Sequence, residues 1–164
     1  MKTIYLKHWQ LSDITFYNKI RNNKDNSKSL MWPSWSYETK EETLKYIKSR
    51  SKKSSLFTIW LNNERVGYIQ LLPLTSVGSD YYGISDVGIF IDQNARGNGY
   101  GKRALELIEN ETPYSVGLTA KIESSNKASL NLFLSLNYEV IGEVPIQNIP
   151  ELKDCLMIYL LKRI

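Results

Sequence analysis

A chain of 164 residues, 42% of them hydrophobic, can bury roughly two-thirds of its unfolded surface in one core, so a single domain over 1–164 is expected without covalent staples. Its 21 basic and 17 acidic side chains leave +4, which suits an anionic ligand. The lone Cys155 excludes an internal disulfide, no run approaches about 18 apolar residues, and Met1 to Tyr5 lacks a signal-peptide core, so a cytoplasmic protein with neither membrane nor nucleic-acid partner is expected.

Thr3 to Lys7 reads as a first strand, and Ser12 caps a helix that carries Ile14, Phe16, Tyr17 and Ile20 towards Asn22. The polar run Asn22 to Ser29 ends it, and a loop rich in aromatics follows, with Trp32, Trp35 and Tyr37 around Pro33. Thr39 with Glu42 three residues on is a capping-box signature for a second helix through Leu44 and Ile47. The basic group Lys45, Lys48, Arg50, Lys52 and Lys53 falls mostly on its polar side and exit loop, and the single aromatic among them, Tyr46, makes no platform of the kind that stacks nucleic-acid bases.

Leu56 to Leu61 and Arg65 to Leu72 read as a hairpin around Asn62-Asn63-Glu64, with Tyr82 to Ile91 as a third antiparallel strand. A helix over Arg103 to Asn110, a strand over Val116 to Ile122 and a helix over Asn126 to Leu136 come next. Tyr138 to Val144 and Cys155 to Lys162 close the chain as strands, with Cys155 read as a small buried hydrophobe.

Between the strand ending at Ile91 and the helix from Arg103 lies Arg96-Gly97-Asn98-Gly99-Tyr100-Gly101-Lys102. Alternate glycines let the backbone turn tightly and bring N–H groups close to an anion, and the next helix aims its positive dipole end at the same spot. A phosphate cradle and a plain strand-to-helix turn both satisfy this pattern. A dinucleotide-binding fold fits poorly, because no acidic residue ends the strand Leu118 to Ile122 before Glu123 and the preceding strands form a meander. A Walker loop fails because no Gly-Lys-Ser or Gly-Lys-Thr follows the required gap.

The order of elements and these residues resemble the GCN5-related N-acetyltransferase (GNAT) superfamily. Arg96, Gly99 and Gly101 occupy the fixed places of its Gln/Arg-x-x-Gly-x-Gly/Ala turn, and Asp86 to Asp92 looks like its fourth strand. Asn126 to Phe133 followed by Leu136-Asn137-Tyr138 looks like its second cofactor element. The resemblance implies an α/β fold of the α+β type: a mixed, mostly antiparallel sheet of about seven strands with four helices, splayed between strands four and five. It implies acetyl-CoA as co-substrate, with the pyrophosphate on Arg96, Gly97, Asn98, Gly99, Tyr100, Gly101 and Lys102 and the pantetheine arm on Ile89, Ile91 and Asn126. Asn126 also suits a helix N-cap.

Family members often place a Tyr proton donor where this chain has Phe133, so that role passes to water, to another side chain or to unassisted departure of the thiolate. Tyr138 stands at a packing position, and Asn137 replaces a glycine that ends a helix in the left-handed conformation. Because family members often place an acidic residue on the fourth strand facing the acceptor amine, the resemblance makes Asp86 the first choice of catalytic base, an exposed strand-edge carboxylate being the other reading. Glu123 is second and otherwise simply solvated, whereas the only histidine, His8, reads as surface or packing. No His, Cys or carboxylate spacing suggests a metal.

The segment from Arg21-Asn22 through Trp32 and Trp35 to Glu42 resembles the acceptor side of a branch that holds nucleotide-sugar and ribosomal-protein N-terminal acetyltransferases. It implies a small-molecule amine acceptor, an amino sugar or nucleotide-linked amino sugar stacked on Trp32 and Trp35. Trp32 and Trp35 also suit core or dimer anchors, which leaves a homodimer open. Two other readings stand beside this one: a protein N-terminal acetyltransferase, and, given Phe133, a non-catalytic acyl-CoA-binding domain.

Overall fold

The structure is a computed structural model that describes residues 3–24, 26, 36–51, 54–74, 83–112, 116–147, 152 and 154–164. Its strands are β1 (Ile4–His8), β2 (Ser55–Leu61), β3 (Glu64–Pro73), β4 (Ile84–Ile91), β5 (Gly117–Glu123), β6 (Glu139–Pro145) and β7 (Leu156–Arg163). Helix α1 (Ile14–Arg21) and helix α2 (Lys40–Ser51) precede β2, α3 (Tyr100–Asn110) links β4 to β5, and α4 (Lys127–Leu134) links β5 to β6. The strands form one seven-stranded sheet in the order β1-β2-β3-β4-β5-β7-β6, antiparallel everywhere except between β4 and β5.

That parallel pair positions the site. β4 and β5 pair only over Ile84–Asp86 and Gly117–Thr119, while β4 stays paired with β3 as far as Ile91. From Val87 onward the two strands diverge, and the β5-facing backbone groups of β4 are left without a strand to bond. The expected splay between the fourth and fifth strands is therefore present.

Local chemistry explains the element ends. Asn62 takes the left-handed conformation (φ 53) that turns β2 into β3. The capping box at α2 is formed, with Thr39 N donating to Glu42 Oε2 (2.8 Å) and Glu42 N donating to Thr39 Oγ1 (3.2 Å). Helix α4 closes in a Schellman motif: Tyr138 N donates to Phe133 O (3.2 Å), Asn137 N donates to Leu134 O (3.1 Å), and Asn137 is left-handed (φ 64). Its accompanying apolar contact is the edge-to-face pair Phe133–Tyr138, with ring centroids 4.9 Å apart.

Hydrophobic layers flank the sheet. On one face, α3 and α4 cover Ile59, Ile69, Leu118 and Leu160 with Leu105 and Ile108, all fully buried, each worth about 1.5–3 kcal/mol relative to exposure. On the other, Tyr17 of α1 and Ile47 of α2 pack with Leu56 against Tyr68. Asp13, buried at the foot of α1, accepts from Thr58 Oγ1 (2.8 Å), Gln10 N (2.9 Å) and Arg65 Nε (2.7 Å), so its charge is compensated.

A second ion pair ties α1 to the start of α2. Arg21 engages both carboxylate oxygens of Glu38, and Asn22 bonds both the N–H and the C=O of Glu38 (2.7 Å each). The guanidinium hydrogen bond holds the Glu38 carboxyl below its ordinary value of 4.5. Because the folded-state value is depressed, this stabilisation is complete above the unfolded value and is lost as pH falls through the folded one. Glu38→Gln is thus expected to cost about 2 kcal/mol at neutral pH, a deficit that shrinks below about pH 4, measured by urea unfolding at a series of pH values.

Candidate active site

The glycine turn is built by two left-handed residues, Gly97 (φ 76) and Gly99 (φ 77), a conformation that costs residues with a Cβ roughly 1–2 kcal/mol. Gly99 is the N-cap of α3, which begins at Tyr100 and not at the expected Arg103. The left-handed turn at Gly99 lets the helix start directly, so Tyr100, Gly101 and Lys102 form its first turn. The first helical hydrogen bond runs from Arg103 N to Gly99 O (3.1 Å), which leaves the amides of Tyr100, Gly101 and Lys102 without helical partners.

These amides face a cleft of about 280 Å³ between β4 and α4. Ile89, Ile91, Arg96, Gly97, Gly99, Tyr100, Gly101, Lys102 and Asn126 all line it, so the expected cofactor residues meet there with one exception. Asn98 instead braces the loop, donating through Nδ2 to Ala95 O (3.2 Å) and Arg96 O (2.9 Å). Gly101 has a steric reason to lack a side chain: a Cβ there would lie 3.2 Å from Leu132 Cδ2, 3.6 Å from Ile91 Cγ1 and 3.9 Å from Ile89 Cδ1. Arg96 spends its Nε on Ile91 O (2.9 Å) and lays its guanidinium over Phe90, so its side chain also locks the loop to the end of β4.

Asn126 caps α4, its Oδ1 accepting from Ser129 N (3.2 Å), and lines the cleft as well. Ala128, Ser129 and Leu132 complete that wall, although the sequence reading did not single them out. Their recurrence at three- and four-residue intervals on one face of α4 was the available signal.

Asp86 stands where β4 and β5 part. Its Oδ1 accepts from Thr119 Oγ1 (2.9 Å), and its Oδ2 lies 3.5 Å from Lys121 Nζ. Strand alternation puts Asp86, Gly88 and Phe90 on the face covered by α1 and α2, opposite Val87, Ile89 and Ile91. Lys121 was absent from the sequence reading; its alternation with Thr119 on β5 places both on the Asp86 face.

Glu123 is not the solvated carboxylate of the second-choice reading. It is 8% exposed and accepts from Ser125 N (2.6 Å), Ser125 Oγ and Ser124 Oγ in the turn before Asn126. Burial pushes its carboxyl up, but the Ser125, Cys155 and Ser124 donors outweigh that and hold it below the ordinary range, which suits an anchor for the turn and not a base. Cys155, expected as a buried hydrophobe, is half-buried just before β7, and the neighbouring Glu123 carboxylate pushes its thiol up. His8 packs its ring against Phe57, 4.3 Å between centroids, in keeping with a packing role.

Phe133 is 2% exposed and points into the core towards Tyr138, away from the cleft that Leu132 lines. Tyr138 is equally buried, its hydroxyl lacks a partner among the described residues, and burial, reinforced by Glu109, pushes its phenol above the ordinary range. Neither ring is placed to move a proton in the cleft. Phe133→Tyr is expected to cost about 1–2 kcal/mol by burying another hydroxyl and to leave turnover unchanged, measured by urea unfolding and steady-state rates. Trp32 and Trp35 lie outside the described residues. Among the described residues no group of three metal-ligating side chains is present, and no helix is long and apolar enough to cross a membrane.

A sheet opened at its parallel pair and a left-handed glycine turn that leads into α3 together bound one cleft between β4 and α4. Residues 24–138 match the family "Acetyltransferase (GNAT) family". The chain belongs to that family and is an acetyl-CoA-dependent N-acetyltransferase. No curated protein sequence matches it significantly. Among solved structures it is similar to a ribosomal-protein-alanine N-acetyltransferase from Brucella melitensis, at 22% identity and TM-score 0.79, over 98% of this chain and 99% of that one. An N-acetyltransferase from Staphylococcus aureus Mu50 matches at 17% identity and TM-score 0.80, over 98% of each chain. A spermidine N-acetyltransferase from Vibrio cholerae, solved with CoA and spermine, matches at 12% and 0.83, over 98% of this chain and 95% of that one. At such identities these likenesses speak for the fold.

Proposed function

We propose that this chain, as a single domain over 1–164, acetylates the primary amine of a small molecule, an amino sugar or nucleotide-linked amino sugar, with Asp86 as the base. The observation that carries this reading is the placement of Asp86 at the point where β4 leaves β5, on the sheet face away from α3 and α4. An arm laid along Ile91 and Ile89 from the glycine turn would run down β4 towards the level of Asp86, where the two strands part.

The donor set fits acetyl-CoA. The free amides of Tyr100, Gly101 and Lys102, with the cation of Lys102, suit the pyrophosphate. The unpaired edge of β4 and the Asn126 amide suit the amide groups of the pantetheine arm. Acetyl-CoA supplies the activated acyl group. Asp86 takes a proton from the acceptor amine, and the hydrogen bond from Thr119 together with Lys121 fixes the orientation of the carboxylate. Phe133 offers no proton, so the thiol, with an ordinary value near 8.5, departs as the thiolate and is protonated by solvent.

The net charge of +4 and the aromatic residues Trp32 and Trp35 in the sequence support a sugar-bearing, anionic acceptor. The test is thiol release from acetyl-CoA across a panel of nucleotide-linked amino sugars, simple amino sugars and N-terminal peptides. Turnover confined to peptides would replace the small-molecule acceptor with a protein N-terminus. Acetyl-CoA binding without turnover of any amine would favour a non-catalytic sensor.

A further inference from the structure

The face of the sheet that carries Asp86 also carries an arginine with no ion-pair partner among the described residues. Arg50, exposed on the last turn of α2, makes no salt bridge among the described residues and approaches Gln70 Oε1 at 3.5 Å. Gln70 is held in that orientation because its Nε2 donates to Ser54 Oγ (2.8 Å), which in turn donates to Arg50 O (2.9 Å). Gln70 lies directly opposite Gly88 across the β3–β4 ladder, and Gly88 is one strand repeat from Asp86 on the same face. Among the described residues no atom lies within 4 Å of where a Gly88 Cβ would stand, so none of them fills the floor between Gln70 and Asp86.

Charge on this face is uneven. Arg21 is neutralised by Glu38 and stacked on Tyr46 at 3.8 Å, and Lys121 is paired with Asp86, whereas Arg50 makes no ion pair among the described residues and lies over the same Tyr46 ring at 5.8 Å. A polycationic acceptor would meet repulsion there. An amine that also carries an anion would meet Asp86 at one end and Arg50 at the other. One strand spacing and one two-residue repeat separate Gln70 from Asp86 by roughly 8 Å along the sheet, a span that a sugar ring bearing a phosphate fills.

We propose that Arg50 is the specificity-determining residue that binds an anionic group, a phosphate or carboxylate, on the acceptor amine. This deepens the acetyl-transfer reading and rests on it. Arg50 acts on binding of the acceptor and takes no part in proton transfer, so its loss is read in KM and not in kcat.

The experiment compares wild type, Arg50→Gln and Arg50→Lys on glucosamine, glucosamine 6-phosphate and spermidine by thiol release, with acetyl-CoA binding followed by calorimetry on the same samples. Wild type is expected to prefer the phosphorylated amine at least tenfold in kcat/KM. In Arg50→Gln that preference disappears through a higher KM, Arg50→Lys recovers part of it, and acetyl-CoA binding and the melting temperature stay unchanged. Retention of the preference in Arg50→Gln overturns the proposal. So does better turnover of glucosamine or spermidine, or no turnover of glucosamine 6-phosphate by protein that binds acetyl-CoA. Absence of acetyl-CoA binding would instead bring down the acetyl-transfer reading itself.

Discussion

Asp86→Asn is expected to lower turnover about 10²- to 10³-fold, the range that loss of a positioned general base produces. Acetyl-CoA binding is expected to stay within about twofold, because Asp86 does not line the cleft between β4 and α4. The amide keeps an oxygen that can accept from Thr119 Oγ1, and the lost contact with Lys121 is half-exposed, so the fold should be little disturbed. Single-turnover thiol release separates the chemical step from binding, and calorimetry reads the binding directly. An unchanged rate would remove Asp86 from the mechanism and leave the β4–β5 junction as a structural ion pair.

Gly101→Val is expected to do the reverse, weakening acetyl-CoA binding about 100-fold, or about 2.7 kcal/mol, before chemistry begins. The new Cβ would stand against Leu132, Ile91 and Ile89, and its methyl groups would project into the space between β4 and α4. Neighbouring Gly97 and Gly99 have no atom of the described residues within 4 Å of an added Cβ and are required for their positive φ, whereas Gly101 is required for its small size. Calorimetry with acetyl-CoA and a thermal melt distinguish a blocked cleft from a damaged fold. Full affinity in a folded Gly101→Val protein would mean that the ligand does not enter between β4 and α4.

The features legible in the sequence are those written in a few consecutive residues. Thr39 and Glu42 announce the start of α2, Asn62 turns the hairpin, Asn126 caps α4, and Gly97 and Gly99 bend the chain into the first turn of α3. Each depends on backbone geometry within about one helical turn, where residue type alone sets the preference. Asn137 belongs with them, since a left-handed residue after a helix is a local requirement. Apolar periodicity then ordered the strands, and the family resemblance implied that the glycine turn and Asn126 share one cleft.

What the sequence could not determine is where side chains meet across strands far apart in the chain. Glu123 reads as a spare carboxylate until the turn to α4 folds Ser124 and Ser125 back onto it. Phe133 reads as a missing proton donor, yet the Schellman closure of α4 turns its ring towards Tyr138 and out of the cleft. Lys121 meets Asp86 only because β5 runs parallel beside the start of β4, and Arg50 reaches Gln70 only because α2 packs across β3. The sequence by itself determined the left-handed glycine turn and the family, because local backbone preference and a short motif suffice for both. Tertiary structure alone decided which side chains meet Asp86 where the strands part, because register, splay and helix docking are cooperative properties of the whole sheet.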